Sequence, residues 1–159
     1  MTCYNMKIVP YKAGHIHLLS LKDEDKYLQD SPMFAQWATD NCIKDMSISI
    51  FKDDKCILCT GIRRMWTGVE TAKAAEVWVI FSKKIPFLVL PIIRALKANL
   101  HRVIEEQGLT RVQAVVKANY TTAVKLVKLM GFEQESRMRK AEMDGTDSLM
   151  FTIIKEDKI

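Results

Sequence analysis

The sequence predicts an α/β protein of the α+β kind: a central mixed, mostly antiparallel sheet flanked by helices, in one domain over residues 1–159. Three stretches carry that reading. Residues 111–132 (RVQAVVKANYTTAVKLVKLMGF) pass from a β-rich apolar run to helical spacing and stop at Gly131, which reads as strand, turn, helix, strand. Residues 46–51 (MSISIF) alternate strictly, and Lys52-Asp53-Asp54-Lys55 then turns the chain into a second apolar run, a hairpin. Ile92, Leu96, Leu100, Val103 and Ile104 recur at helical spacing and mark a long amphipathic helix.

Composition bounds the function. At 159 residues, with 48% hydrophobic and 27% charged content, the chain has globular values and enough surface to bury a core. No apolar run is long enough to span a bilayer, and residues 85–93, the longest, are broken by prolines. Residues 1–12 (MTCYNMKIVPYK) carry no signal-peptide apolar segment, so a cytoplasmic or virion-interior location is expected, with the four cysteines reduced. A net charge of +5 suits an anionic ligand such as a phosphorylated cofactor. The basic residues are spread along the chain with no block of five or more, so nucleic acid is not the expected partner.

In chain order, residues 6–11 alternate as a first strand, with Pro10 marking an edge or an end. His15, Leu18, Leu19 and Leu21 suggest a helix over 13–21. Asp23-Glu24-Asp25 precedes a second helical stretch, and Ser31-Pro32 opens a third with proline at its first position and Met33, Trp37 and Ala38 as its apolar stripe. The alternation of 46–51 implies a strand with one buried face, returning over 56–62. Residues 63–73 read as a loop and 75–81 (AEVWVIF) as a central fourth strand. The connection after it is apolar, either core or a docking patch, and the long helix ends at Gln107-Gly108. Strand 112–116 follows, then the turn Lys117-Ala118-Asn119-Tyr120, where polar groups stand at a helix N-terminus suited to an anionic ligand. Residues 132–140 and 148–154 close the chain around a turn at Asp144-Gly145.

Several polar groups invite chemistry. Cys56 and Cys59 have CxxC spacing, but side chains three apart on a regular strand point to opposite faces, and no second pair completes a zinc site. Buried reduced thiols are expected there. His15, His17 and His101 have no third ligand at metal spacing and are read as surface or cap residues. Asp23, Glu24 and Asp25 either attract an amine or form a solvated helix start.

The element order, with the pattern from Ala123 through Leu126 to Gly131-Phe132 and an acidic residue at Glu133 or Glu135, resembles the GCN5-related N-acetyltransferase (GNAT) superfamily over nearly the whole chain. The resemblance implies a sheet splayed between strands 4 and 5, into which acetyl-CoA inserts like a further strand. It implies an N-acetyltransferase acting on an unidentified amine, small molecule or protein. Val79, Ile80 and Phe81 would meet the pantetheine, Lys83 and Lys84 the pyrophosphate, and Phe87, Asn119 and Tyr120 would line the cofactor. Glu76, entering the fourth strand, is the candidate general base, and Tyr120 the candidate acid.

Two family features are missing. The phosphate-binding segment has no glycine between Ser82 and Pro91, and Val127 stands where many members carry a proton-donating tyrosine. The chain also resembles the GNAT-like internal virion proteins of short-tailed phages, through Val77-Trp78, an Asn before the final helix, a lysine-rich helix and Phe151-Thr152-Ile153. That resemblance implies an alternative: a GNAT-fold protein without catalysis, structural or interacting, with a homodimer or virion partner.

Overall fold

The computed structural model describes residues 5–22, 26–66, 69, 71–83 and 90–156, the side chains of Tyr27 and Leu28 excepted. The strands are β1 (Met6–Pro10), β2 (Ser47–Lys52), β3 (Lys55–Arg64), β4 (Ala74–Phe81), β5 (Arg111–Lys117), β6 (Glu133–Met138) and β7 (Ser148–Ile154). The helices are α1 (Lys26–Asp30), α2 (Pro32–Asp40), α3 (Leu90–Glu106) and α4 (Thr121–Leu129), with a 3-10 turn at Ala13–Leu18. The strands form one seven-stranded sheet of order β1-β2-β3-β4-β5-β7-β6. β4 pairs with β5 in parallel, while β1–β2, β2–β3, β5–β7 and β6–β7 are antiparallel. No helix among the described residues is long and apolar enough to cross a membrane.

The chain divides into two compact units: Met1–Arg63 with Trp78–Pro86, and Arg64–Val77 with Phe87–Ile159. In the first, β2 and β3 are joined by Asp53 and Asp54, whose φ of 48° and 62° make the two-residue turn that matches strand twist. Aspartate tolerates that left-handed backbone because its short side chain can bond locally. A core of Tyr11, Ile16, Leu19, Leu21, Ala38, Cys56 and Cys59 is covered by Phe34, Trp37, Phe51, Trp78 and Ile80. Its rings meet edge to face, Tyr11–Trp78 at 5.2 Å and Trp37–Trp78 at 5.1 Å between centroids, the geometry the aromatic quadrupole favours.

Three sequence expectations change in this unit. The helix over 13–21 is instead a six-residue 3-10 turn, after which Leu19 takes an extended ψ of 137°. Leu19 and Leu21 are buried while Leu18 is 59% exposed, a period of two that belongs to extended chain. Residues 46–51 do not have one buried face: Ser49 and Ile50 are both fully buried and Ser47 nearly so, because β2 lies inside the sheet with both faces covered.

The third change concerns the cysteines. The β2–β3 register pairs Ile50 with Leu58 but Phe51 with Cys56, leaving Ile57 as an extra residue in β3. Such a bulge breaks the alternation of a strand. Cys56 and Cys59 therefore do not face opposite ways; their sulfurs lie 3.7 Å apart.

In the second unit α3 buries Ile92, Leu96, Leu100, Val103 and Ile104, the five positions its periodicity marked. Gly131 ends α4 with φ of 94°, and the Phe132 N–H donates to Val127 O at 3.2 Å, a glycine C-cap that turns the chain into β6. Phe151 of β7 is fully buried, and Val112, Leu149 and Phe132 are nearly so.

Gly61 supplies a stability test within the first unit. A Cβ there would stand 2.8 Å from Ser47 Cβ and 2.8 Å from Trp78 Nε1, closer than real contacts allow. Gly61→Ala is expected to lower stability by about 1–3 kcal/mol in urea titration. Gly14→Ala, with nothing within 4 Å, should fall well short of that loss.

Candidate active site

The candidate residues fall in both units, and each set is built locally. In the second unit Glu76 of β4 stands in register with Gln113 of β5, the last of three paired positions that begin with Ala74–Arg111. Parallel partners in register present side chains to the same face. Gln113 is 6% exposed, and its Nε2 donates to Glu76 Oε2 at 3.0 Å. A buried amide must find a partner, so this bond orients the half-buried carboxylate.

Asn119 and Tyr120 sit where β5 gives way to α4. The Tyr120 N–H donates to Lys117 O at 3.0 Å, and Tyr120 O accepts the Val124 N–H at 3.0 Å, so Tyr120 is the N-cap of α4. Its ring is half-buried and Asn119 is exposed. Val127 is 7% exposed, and its side chain has no proton to give.

The turn is tied to the β6–β7 connection. The Ala118 N–H donates to Asp147 O at 2.8 Å, and Lys117 Nζ donates to Asp144 Oδ2. Asp144 also takes the Thr146 N–H at 2.9 Å; Asp147 takes Arg137 Nε at 2.6 Å and the Lys140 N–H at 2.9 Å. The Lys117 bond foremost, then Thr146, holds the Asp144 carboxyl far below its usual range. The Lys140 N–H foremost, then Arg137, lowers that of Asp147.

In the first unit β4 continues through Val79, Ile80 and Phe81. Trp78 and Ile80 pack on the aromatic core, so Val79 and Phe81 project to the other face of the strand. Ile80 can therefore serve a ligand through its backbone, not its side chain. Trp78 O accepts the Thr60 hydroxyl at 2.7 Å.

Ser82, which sequence reasoning passed over, anchors the strand end. Its N–H donates to Ile57 O at 2.9 Å, its hydroxyl donates to Cys56 O at 3.2 Å, and its Oγ accepts the Ser20 N–H at 3.0 Å. The Lys83 N–H donates to Ser20 O at 2.8 Å, leaving an exposed lysine on a fixed backbone. Lys84 and Phe87, and the acidic cluster Asp23-Glu24-Asp25, lie outside the described residues.

Gln113 was also missed. The signal was present: a lone amide inside an apolar strand implies a buried partner.

The hairpin gives a pH test. Both carboxyls have folded pKa values below the ordinary 3.8. Their stabilisation is present above that value and fades as pH falls below it. Backbone amide resonances of Lys140, Thr146 and Ala118 should hold steady from neutral pH to the ordinary carboxylate range and shift together below it. In Asp144→Asn the Thr146 amide should lose that acid shift.

No family model matches the chain, and no curated protein matches it in sequence. Solved structures do match in fold. One is an acetyltransferase of the GNAT family from Bacillus anthracis, TM-score 0.70 and 16% identity, covering 96% of each chain. Another is the ribosomal-protein-S5-alanine acetyltransferase from Vibrio fischeri, TM-score 0.66 and 13% identity, covering 99% of this chain and 97% of the other. A third is RimL, a ribosomal L7/L12 alpha-N-protein acetyltransferase in complex with coenzyme A, TM-score 0.67 and 12% identity, covering 97% and 96%. With its mixed sheet, its parallel β4–β5 pair and its flanking helices, the chain has the GNAT acyl-CoA N-acyltransferase fold.

Proposed function

We propose that this chain, acting as one domain, is an N-acetyltransferase that moves acetyl from acetyl-CoA to an amine. The observation that carries the reading is Glu76, a carboxylate oriented by Gln113 at 3.0 Å on the fourth strand of a sheet whose structural neighbours are acetyltransferases. A ligand-bearing strand needs a fixed backbone and a cation nearby, and Ser82 and Lys83 fit that need.

In this reading the backbone of Val79, Ile80 and Phe81 binds the pantetheine and polarises the thioester carbonyl. Lys83 and Lys84 meet the pyrophosphate as point charges, and Phe87 and Asn119 line the cofactor. Glu76, directly or through one water, takes the proton of the attacking amine as its nitrogen bonds the acetyl carbon and the carbon–sulfur bond breaks. Tyr120 gives the departing thiolate its proton. When bound, acetyl-CoA supplies the activated acetyl group.

The missing glycine between Ser82 and Pro91, and Val127 in place of a tyrosine, favour a second reading in which the fold docks a partner without catalysis. A protein expected in the cytoplasm and one carried in a phage particle would both suit these features.

Calorimetric titration separates the two. Acetyl-CoA and CoA should bind, and Lys83→Ala should weaken CoA about fivefold, the size of one exposed charge contact. Absence of heat at millimolar ligand overturns the acetyltransferase. Against an amine panel, Glu76→Gln should cut turnover about a hundredfold, as for loss of a general base, with CoA affinity kept. Unchanged turnover would remove Glu76 from the mechanism.

A further inference from the structure

The cysteine pair brought together by the β3 bulge belongs to a longer chain of polar atoms. Cys56 Sγ lies 3.7 Å from Cys59 Sγ, Cys59 Sγ lies 3.4 Å from Ser49 Oγ, and Ser49 Oγ lies 2.8 Å from His15 Nδ1. Cys56 is 4% exposed, and Cys59 and Ser49 are fully buried. Only His15, half-buried, leads toward solvent. The Ser49 hydroxyl donates to the Cys59 sulfur from between the thiol and the imidazole.

Ser49 donates its hydroxyl to Cys59 Sγ, and its Oγ lies against His15 Nδ1, which also takes the Lys12 N–H at 3.2 Å. A thiol proton lost from the pair leaves Cys56 as thiolate, facing the Cys59 S–H. Burial, then Lys12, lowers the His15 pKa. The Cys59 hydrogen bond lowers the Cys56 pKa, and the bond to Cys56 together with burial raises that of Cys59. The two thiols are thus unequal, one a nucleophile and one a donor.

We propose that Cys56 and Cys59 form an oxidisable dithiol that a small hydroperoxide closes to a disulfide, with the Ser49 hydroxyl as hydrogen-bond donor to the pair. Cys56 thiolate attacks the terminal peroxide oxygen; the O–O bond breaks, an alcohol leaves with a proton from solvent, and Cys56 becomes a sulfenic acid. The Cys59 sulfur then attacks the Cys56 sulfur, the S–O bond breaks, and the departing hydroxide takes the Cys59 thiol proton as water. Two thiols and one hydroperoxide give one disulfide, one alcohol and one water. Cys56 is the second residue of β3, beside the exposed Lys55 of the hairpin end, where strand fraying admits a small oxidant.

Closure has a mechanical consequence. A disulfide brings the sulfurs to about 2 Å, which must move the bulge. The carbonyls at that bulge, Cys56 O and Ile57 O, are the two that hold Ser82. On the reading given under Proposed function, Ser82 leads into the pyrophosphate segment, so oxidation would loosen the nucleotide end of the site.

Peptide mapping tests the chemistry without any cofactor. The folded protein is treated with tert-butyl hydroperoxide, denatured, alkylated and cut with trypsin; cleavage after Lys55 and Arg63 yields residues 56–63 with both thiols. The proposal expects that peptide two hydrogens lighter and free of alkyl groups, with hydrogen exchange at the Ser82 amide faster than in the reduced protein. Two alkyl groups on it, at a dose that oxidises exposed Cys42, overturn the dithiol. Ser49→Ala should slow closure several-fold while circular dichroism stays native. Closure at the unmodified rate in that variant overturns the role of the Ser49 hydroxyl, and unchanged Ser82 exchange in the closed form overturns the mechanical link.

Discussion

One extra residue in β3 sets the interior of the first unit. Ile57 breaks the β2–β3 register between Ile50 and Phe51, so Cys56 and Cys59 share a face and two successive carbonyls are offered to Ser82. A regular strand would have sent the two thiols apart and given Ser82 one acceptor instead of two. Ser82 in turn fixes Ser20 and, through it, Lys83. The end of β4 is therefore held by hydrogen bonds to buried backbone as well as by the packing of Trp78 and Ile80.

The second unit uses a different device for the same end. Gln113, buried in β5, has one strong way to satisfy its amide, and that way fixes the Glu76 carboxylate. The Asn119–Tyr120 turn is held from outside by exposed Asp144 and half-buried Asp147, which combine ion pairs to Lys117 and Arg137 with bonds from the Thr146 and Lys140 N–H groups. Positioning in this unit is thus divided between one buried amide and one wet hairpin.

Helical periodicity and glycine caps were the most legible features, because they depend on local spacing. The five buried positions of α3 and the stop at Gly131 follow from the chain alone. What depended on neighbours was not legible. Ser47 and Ser49 look like a solvent face until distant side chains such as His15 and Cys59 meet Ser49 over it, and the bulge at Ile57 leaves no mark in the residues CILC. Among the candidate site residues, the position of Glu76 on the fourth strand was legible, but its partner Gln113 required the β4–β5 register. Ile80 is expected to meet a cofactor through its backbone; that its side chain belongs to the aromatic core, aligned with Trp78 by strand alternation, required the fold.

The central claim is the proposal that the fixed end of β4 binds coenzyme A. Its most direct measurement is a titration of isotope-labelled protein with CoA, followed by backbone amide correlation spectra. The account predicts saturable shifts at Val79, Ile80, Phe81 and Lys83, with the amides of β1 unmoved. Saturable shifts confined to other segments, or none at these four residues, would contradict it.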